Sequence, residues 1–258
     1  MKRIDTNELK EIQLQILEYV ADFCDRNNIA YWLDSGTLLG AVRHKGYIPW
    51  DDDIDIGMLR EDYDKFIQNF NNNSNCYKVY SIENKKDFFY PFAKVLDIRT
   101  VLYEPDRNGN KLSVNIDVFV YDNAPNSDKI LEKMYDKRDE LRKWAGFKEK
   151  PETFKQMVGY SLMLPFRKKW FYEKMVENSK LYAHEEKKYV GNFLGYSRMK
   201  CHKRVFAGLK KMEFEGREYN VPIGYDEWLR AFYGNYMELP PVEERITHHT
   251  FEAYRVEE

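Results

Sequence analysis

The sequence of this 258-residue chain predicts a mixed α/β (α+β) fold, and three observations lead to that class. Apolar side chains recur every three or four residues over residues 7–27, as in a helix with one buried face. A short apolar run at residues 30–33 precedes a turn of small residues and a second helix. Acidic and β-branched residues then alternate over residues 53–56, which is the periodicity of a strand.

The chain is long enough to bury the core of one domain, and no repeat or flexible linker divides it. We therefore predict a single domain over residues 1–258, with a helical addition at about residues 127–188. The 41 basic and 43 acidic residues nearly balance, so no nucleic-acid partner is expected. Cys24, Cys76 and Cys201 form neither a disulfide framework nor a metal-binding motif, which is typical of a cytoplasmic protein.

The other elements follow from local patterns along the chain. Asp5 or Thr6 can cap the first helix, and Asn27 and Asn28 end it. Further helices are predicted over residues 60–70, 127–145 and 225–233. Strands are predicted over residues 77–82, 93–99 and 114–120, with a hairpin-like pair over residues 206–219. Asn108-Gly109 marks a hairpin turn between two of these strands.

Asp53 and Asp55 are the centre of the predicted site. On a strand they point to one face, while Ile54 and Ile56 point to the other and enter the core. Two carboxylates side by side repel each other unless a proton or a metal ion lies between them. Because Mg²⁺ prefers oxygen ligands, the pattern indicates a Mg²⁺ site, with Mn²⁺ as the alternative ion.

A calcium loop and a solvated acidic turn are two other interpretations of this acidic run. A calcium loop of the EF-hand type needs Gly at its sixth position and Glu at its twelfth. Counting from Asp51, those positions hold Ile56 and Asp62, so the pattern does not match. A solvated acidic turn would account for the charges, but it does not account for the alternation with isoleucine.

The turn at residues 34–37 supplies the second half of the site. A strand, a small-residue turn and a helix in succession aim backbone N–H groups at an anion. Gly36 lets the backbone approach a phosphate closely, with Ser35 and Thr37 beside it. Arg43 adds positive charge further along. We predict that these four residues bind phosphate.

Lys94 and Asp117 are charged residues within apolar strands. A lysine beside a metal site can hold a phosphate as a point charge, whereas a surface lysine on an edge strand would have no such part. A carboxylate at position 117 would be costly among apolar residues unless it faces a cation shared with Asp53 and Asp55. Asp117 is therefore predicted as the third carboxylate, a metal ligand or general base. Asp122 is the fallback, and a strand-end acid in water is the plain alternative.

Residues 154–176 combine apolar side chains with the basic triplet Arg167, Lys168 and Lys169. Such a segment can lie on an anionic membrane surface, although helices packed on the core give the same pattern. No run reaches the roughly 20 apolar residues of a membrane span. Residues 1–26 are charged throughout, unlike a signal peptide. We expect a cytoplasmic protein that is peripheral at the inner face of the membrane if this segment binds lipid.

Residues 33–66 resemble the signature of the LicD family of phosphocholine transferases, which is related to the fukutin-related proteins. Both are similar to the nucleotidyltransferase (polymerase β-like) superfamily. That superfamily has a Gly-Ser or Gly-Thr turn, an Asp-x-Asp strand and a third Asp on a neighbouring strand. Gly36-Thr37, Asp53-Ile54-Asp55 and Asp117 match these features. The resemblance extends over about residues 9–249 and implies a nucleotidyltransferase-like core sheet surrounded by helices.

The resemblance also implies an activity. The expected enzyme is a Mg²⁺-dependent transferase that moves phosphocholine, or a similar phospho-alcohol, from CDP-choline or another CDP-alcohol and releases CMP. The acceptor would be a hydroxyl of a cell-surface glycan or its lipid-linked precursor. Asp53, Asp55 and Asp117 would be catalytic and bind the metal, and Lys94 or Arg43 would steady the leaving CMP.

Several points stay open in the sequence alone. A choline headgroup would need an aromatic face, for which Trp50, Tyr90 and Phe92 are among the candidates. The adjacent His248 and His249 cannot both face one metal from a regular helix or strand. The alternative functions are nucleotidyl transfer to a sugar or alcohol, phosphodiester hydrolysis, and a catalytically silent binding module. The intact set of three carboxylates argues against the last.

Overall fold

The computed structural model describes residues 2–85, 88, 90–104, 110–146, 167–247 and 251–256. These residues form a mixed α/β fold, so the predicted class is confirmed. The helices are α1 Thr6–Asn27, α2 Ser35–His44, α3 Arg60–Asn69, α4 Asp128–Gly146, α5 Arg167–Ser179 and α6 Tyr225–Tyr233. The strands from the first half of the chain are β1 Lys2–Ile4, β2 Trp32–Leu33, β3 Asp55–Leu59, β4 Tyr77–Tyr80, β5 Ala93–Asp97, β6 Thr100–Glu104, β7 Asn110–Leu112 and β8 Asn115–Ala124. The remaining strands are β9 Tyr189–Gly191, β10 Lys200–His202, β11 Leu209–Phe214, β12 Arg217–Pro222 and β13 Glu252–Arg255.

The long strand β8 lies at the centre of a seven-stranded sheet. On one side it pairs with β3 in parallel, and on the other it pairs antiparallel with β5 and then with β9. Strands β2, β4 and β10 complete the sheet. Asp117 of β8 is level with Asp55 of β3 and with Lys94 of β5. The register therefore brings three charged residues from distant parts of the chain into one row.

Helix α1 confirms the first predicted element almost residue for residue. The Asp5 carboxylate accepts a hydrogen bond of 2.9 Å from the Glu8 backbone N–H, so the first of the two predicted caps is used. The helix ends at Asn28, whose φ of 52° is left-handed. Its apolar face packs against β5 and β8. This burial places the helix behind the sheet that carries the site.

Several predicted strands begin or end differently in the structure. The strand predicted over residues 77–82 ends at Tyr80, and the one predicted over residues 114–120 continues to Ala124. Strand β3 begins at Asp55, so Asp53 precedes the strand although Ile54 and Ile56 are both buried as expected. Strand β5 stops at Asp97, because the Asp97 carboxylate accepts a 3.0 Å hydrogen bond from the Arg99 N–H and closes a turn into β6. The predicted strand at residues 93–99 therefore ends two residues early.

Smaller strand groups flank the main sheet. Strands β1, β13, β6 and β7 form a four-stranded sheet, and β11 and β12 form the predicted hairpin. Strands β6 and β7 pair antiparallel around the predicted Asn108-Gly109 turn, which itself lies outside the described residues. Helix α6 begins and ends at the predicted residues.

The helical addition is described only at its two ends. Helices α4 and α5 pack against each other, and the Trp144 ring stacks on Phe171 at 6.3 Å. This contact favours core packing for the end of the basic-aromatic segment, whereas residues 147–166 lie outside the described part of the chain. His248 and His249 lie outside it as well. Among the helices described, none is both long enough and apolar enough to cross a membrane.

Candidate active site

A cleft of about 600 Å³ opens beside the first residues of β3 and the first half of β8. Its lining includes five of the residues predicted from the sequence, namely Ser35, Asp53, Asp55, Lys94 and Asp117. Asp52 and Asn115 add further polar side chains, and aromatic rings cover much of the remainder. Polar side chains on one side and aromatic side chains on the other are typical of a site that binds a small molecule.

Backbone hydrogen bonds hold Asp55 and Asp117 side by side. The Asp117 N–H donates to the Ile54 carbonyl at 2.8 Å, which extends the parallel pairing of β3 and β8. The Asp55 N–H donates to Thr37 Oγ1 at 2.8 Å. Thr37 is buried and does not line the cleft. Its contact is a structural one, which ties the start of α2 to the carboxylate strand.

The acids of the cleft repel one another. Burial, followed by the charges of Asp53 and Asp117, raises the pKa of Asp55 well above its usual value. Burial and the neighbouring Asp53 raise the pKa of Asp51 to about 7. This donor set of hard carboxylate oxygens fits a divalent cation, which would relieve the repulsion. In the described part of the chain, however, no group of three or more His, Cys, Asp or Glu side chains is placed so that it could hold a metal ion, and metal binding by Asp53, Asp55 and Asp117 stays a prediction.

Lys94 provides positive charge inside the cleft. Its ammonium group forms an ion pair with Asp117 and donates to Asn115 Oδ1 at 3.0 Å. The side chain is buried, and β5 is paired on both sides by β4 and β8. The alternative of a surface lysine on an edge strand is therefore wrong. Phosphate binding by Lys94 remains a prediction.

Asp122, the fallback for the third carboxylate, lies elsewhere. It is 1% exposed and accepts two hydrogen bonds from the Arg60 guanidinium, at 2.7 and 2.8 Å. It does not line the cleft, whereas Asp117 does. Of the two candidates on β8, the cleft thus contains the one that the sequence favoured.

The four predicted phosphate-binding residues are not all in one place. Ser35 lines the cleft with a left-handed φ of 45° at the first residue of α2. A Cβ at Gly36 would lie 2.6 Å from Asp51 Oδ2, so glycine is needed there for the approach of a carboxylate. Arg43 lies apart from the cleft lining and donates to the carbonyl of Tyr236 at 2.8 Å.

Sequence reasoning missed two groups of residues near the site. Asp34 is fully buried and accepts hydrogen bonds from Tyr121 Oη at 2.6 Å and Trp228 Nε1 at 3.2 Å. Burial raises its pKa to about 6. Asn115, the partner of Lys94, was also missed. The two-residue spacing of Asn115 and Asp117 on one strand was a usable signal, whereas nothing local connects Trp228 to Asp34.

The fold and the cleft define an α/β protein whose site is lined by carboxylates and one buried lysine. The family described as "LicD/FKTN/FKRP, nucleotidyltransferase domain" matches residues 28–223. The chain belongs to this family, and the predicted family is confirmed. A nucleotidyltransferase-like topology of the core sheet stays a prediction.

Individual relatives match over different lengths. The chain is 33% identical to "Lipopolysaccharide cholinephosphotransferase LicD" of Haemophilus influenzae over 267 aligned residues, covering 98% of this chain and 99% of that protein. It is 48% identical to human "Ribitol 5-phosphate transferase FKRP" over 44 residues, which is 17% of this chain and 9% of that protein. A Rickettsia typhi protein, "Uncharacterized protein RT0683", is 49% identical over 69 residues, covering 26% and 22% of the two chains.

Proposed function

We propose that the protein is a metal-dependent phospho-alcohol transferase of the cytoplasm. It takes phosphocholine, or a similar phospho-alcohol, from a CDP-alcohol and transfers it to a hydroxyl of a cell-surface glycan or its lipid-linked precursor. CMP is released. The names of the Haemophilus influenzae and human relatives support a phospho-alcohol as the transferred group, since one names cholinephosphate and the other ribitol 5-phosphate.

One observation carries the proposal. Ser35, Asp53, Asp55, Lys94 and Asp117 line a single cleft, although they come from four separate segments of the chain. Phosphoryl transfer needs a group that cradles phosphate, acids that can hold a metal ion and a base near the attacking hydroxyl. The cleft contains a candidate for each of these parts.

Three of these roles concern the donor and the metal ion. Asp53 and Asp55 would hold Mg²⁺, which when bound neutralises negative charge on the donor phosphates. Ser35, at the N-terminal end of α2, binds a donor phosphate oxygen through its hydroxyl. Lys94 stabilises the charge that develops on the leaving CMP.

Asp117 activates the acceptor. The acceptor oxygen forms a bond to the phosphorus that carries the alcohol, and the P–O bond to the CMP phosphate breaks with its electron pair staying on CMP. The acceptor proton passes to Asp117 and from there to solvent. The ion pair with Lys94 holds the Asp117 carboxylate in place.

Phosphorus NMR of the products tests this proposal. The protein is incubated with CDP-choline, Mg²⁺ and a membrane-derived glycan fraction from its own cells. We expect CMP together with a new phosphodiester signal on the glycan. Attachment of CMP to the glycan with release of free phosphocholine would mean ordinary nucleotidyl transfer instead. Release of both CMP and phosphocholine at an unchanged rate without glycan would mean a hydrolase.

A further inference from the structure

One wall of the cleft has no role in the chemistry above. Residues 192–199 run between β9 and β10, and most of them line the cleft. The lining residues from this wall are Asn192, Gly195, Tyr196, Ser197 and Met199. We call residues 192–199 the upper wall.

Helix α4 holds the upper wall by its backbone. Three side chains of the helix donate hydrogen bonds, namely Tyr135, Arg138 and Arg142. The acceptors are the carbonyls of Leu194, Gly195, Tyr196, Ser197 and Met199. The Arg138 contact with Ser197 is 2.7 Å long, and the Arg142 contact with Leu194 is 3.1 Å long. The helical addition therefore determines the shape of a wall more than 50 residues away in the sequence.

The arrangement is specific because burying a guanidinium is costly without full pairing. Arg138 is 1% exposed and is paired with the Asp139 carboxylate at 2.8 Å as well as with the upper wall. Within the wall, Asn192 Oδ1 accepts from the Gly195 N–H at 2.6 Å. A Cβ at Gly195 would lie 2.5 Å from the Asn192 amide nitrogen. These contacts, together with the buried side chains of Phe193 and Leu194, attach the segment to the rest of the fold.

The upper wall presents an aromatic ring to the cleft. Tyr196 is 60% exposed, and the Arg142 guanidinium lies 4.5 Å from its ring centroid. Its edge meets Phe92 at 6.3 Å and 70°, and Phe92 in turn lies 4.8 Å from Phe119. We call Phe92, Phe119 and Tyr196 the aromatic corner. All three line the cleft, whereas Trp50, a candidate from the sequence, does not.

The charge of the cleft favours a cation at this corner. Among the described residues, the charged side chains of the lining are four acids and one lysine, namely Asp52, Asp53, Asp55, Asp117 and Lys94. The Lys94 ammonium lies 5.3 Å from the Phe92 ring, so the corner already accommodates a positive charge on one side. Cations bind to aromatic faces, and the effect is larger for a quaternary ammonium because it is weakly hydrated.

We propose that the aromatic corner binds a quaternary ammonium headgroup on the transferred alcohol, and that Arg138 and Arg142 are positioning residues for Tyr196. This inference rests on the proposed phospho-alcohol transfer and specifies its substrate class. Tyr196 determines which alcohol is preferred, whereas the carboxylates take part in the reaction of every CDP-alcohol.

Calorimetric binding of two donors tests the inference. CDP-choline and CDP-glycerol differ in the charge of the headgroup and share the CDP portion. In the presence of Mg²⁺, we expect the wild-type protein to bind CDP-choline roughly tenfold more tightly. Tyr196→Leu brings the two dissociation constants to within about threefold, while that of CDP-glycerol stays the same. Tyr196→Phe retains the preference because its ring is kept.

The positioning role has its own prediction and control. Arg142→Met lowers the preference for CDP-choline, and Arg142→Lys restores part of it because it keeps a donor for the wall carbonyls. Tyr182→Leu is the matched control, since Tyr182 also carries a cation over its ring, Lys187 at 4.7 Å, but lies outside the cleft lining. The Tyr182→Leu variant should prefer CDP-choline over CDP-glycerol as strongly as the wild type does.

The outcomes separate the two proposals. Equal affinity of the wild type for both donors, or an unchanged preference in Tyr196→Leu, overturns the headgroup site and leaves phospho-alcohol transfer intact. Failure of the wild type to bind either donor overturns both. A lowered preference in Tyr196→Leu without any change in Arg142→Met overturns the positioning role of the helix.

Discussion

Two acids on the central strand, Asp117 and Asp122, are both paired with a cation, yet their surroundings differ. Asp122 is 1% exposed and forms a two-point contact with Arg60 that fills its carboxylate. Asp117 faces the cleft and meets Lys94, which makes a single-point contact and also bonds Asn115. An arginine fork is rigid, whereas a lysine is a compact charge on a flexible stem. The type of cation and the open side of the acid thus distinguish the buried pair of Arg60 and Asp122 from the pair of Lys94 and Asp117 in the cleft.

The largest expected effect is a difference in turnover between substitutions of Asp117 and of Asp122. Asp117→Asn should lower turnover at least 100-fold because it removes the proposed base, and Asp55→Asn should do so equally because it removes a proposed ligand of the metal ion. Asp122→Asn should change turnover at saturating donor by less than about threefold, since it does not line the cleft. Steady-state release of CMP from CDP-choline measures both. Circular dichroism checks that each variant is folded.

A wild-type rate for Asp117→Asn at any Mg²⁺ concentration would remove this residue from the site. A loss in Asp122→Asn as large as that in Asp117→Asn would remove the distinction between the two acids.

The second prediction concerns the free energy of unfolding, which substitution of Asp122 should lower more than substitution of Asp117. Asp122→Asn leaves the buried Arg60 without its full partner, which typically costs about 3–5 kcal/mol. The lower end, about 3 kcal/mol, is expected because Glu83 and Asp64 also lie within 3.7 Å of Arg60. Urea unfolding followed by fluorescence gives the free energy of unfolding.

The surface variant Asp22→Asn is the control, since its pair with Arg217 is half exposed. Such a pair contributes less than about 1 kcal/mol. Equal losses in the two variants would contradict the structural reading of the Arg60–Asp122 pair.

Asp34 is a third acid to compare, and its carboxylate accepts hydrogen bonds from two neutral donors, Tyr121 and Trp228. Its folded-state pKa of about 6 lies above its ordinary value of 3.8 because of burial. The folded state therefore holds the proton more tightly. The contribution to stability is full below pH 3.8 and is lost as the pH rises through about 6. Two pKa units correspond to about 3 kcal/mol.

Asp34→Asn should remove this part of the pH dependence, whatever its effect on overall stability. The measurement is the free energy of unfolding of both proteins between about pH 4 and pH 7, in buffer without divalent metal. The charge of Asp34 is also one of the causes that raise the pKa of Asp55, so the difference between the curves reports Asp34 together with its effect on Asp55, and both act in the same direction. Parallel curves would contradict the prediction.

Local periodicity was enough for several parts of the fold. Helix α1 and helix α6 match the predicted residues closely, because spacing and caps act within a few residues. The hairpin of β11 and β12 is present as predicted, but it spans residues 209–222 rather than 206–219. The Ile54 and Ile56 alternation also correctly marked buried positions beside an acidic site. The family was evident from residues 33–66, where a turn, acids and apolar residues follow at fixed spacing.

Boundaries and partners were harder to predict. The end of β5 depends on a side-chain contact between Asp97 and Arg99, which no strand propensity reveals. Arg43 has the right position for a phosphate but bonds a carbonyl near the end of the chain. A charge pattern indicates that a group can bind an anion, and it does not indicate which acceptor lies within reach.

By itself, the sequence determined the fold class, the family, the first helix and the set of acids from which a site is built. These follow from spacing within short segments and from residue chemistry. Only the tertiary structure decided that Asp117 rather than Asp122 faces the cleft, that Lys94 is its partner, and that α4 holds residues 192–199. The contacts of Lys94 and of α4 join residues at least 20 positions apart, and the antiparallel register of β5 with β8 and the side-chain hydrogen bonds of α4 bring them together.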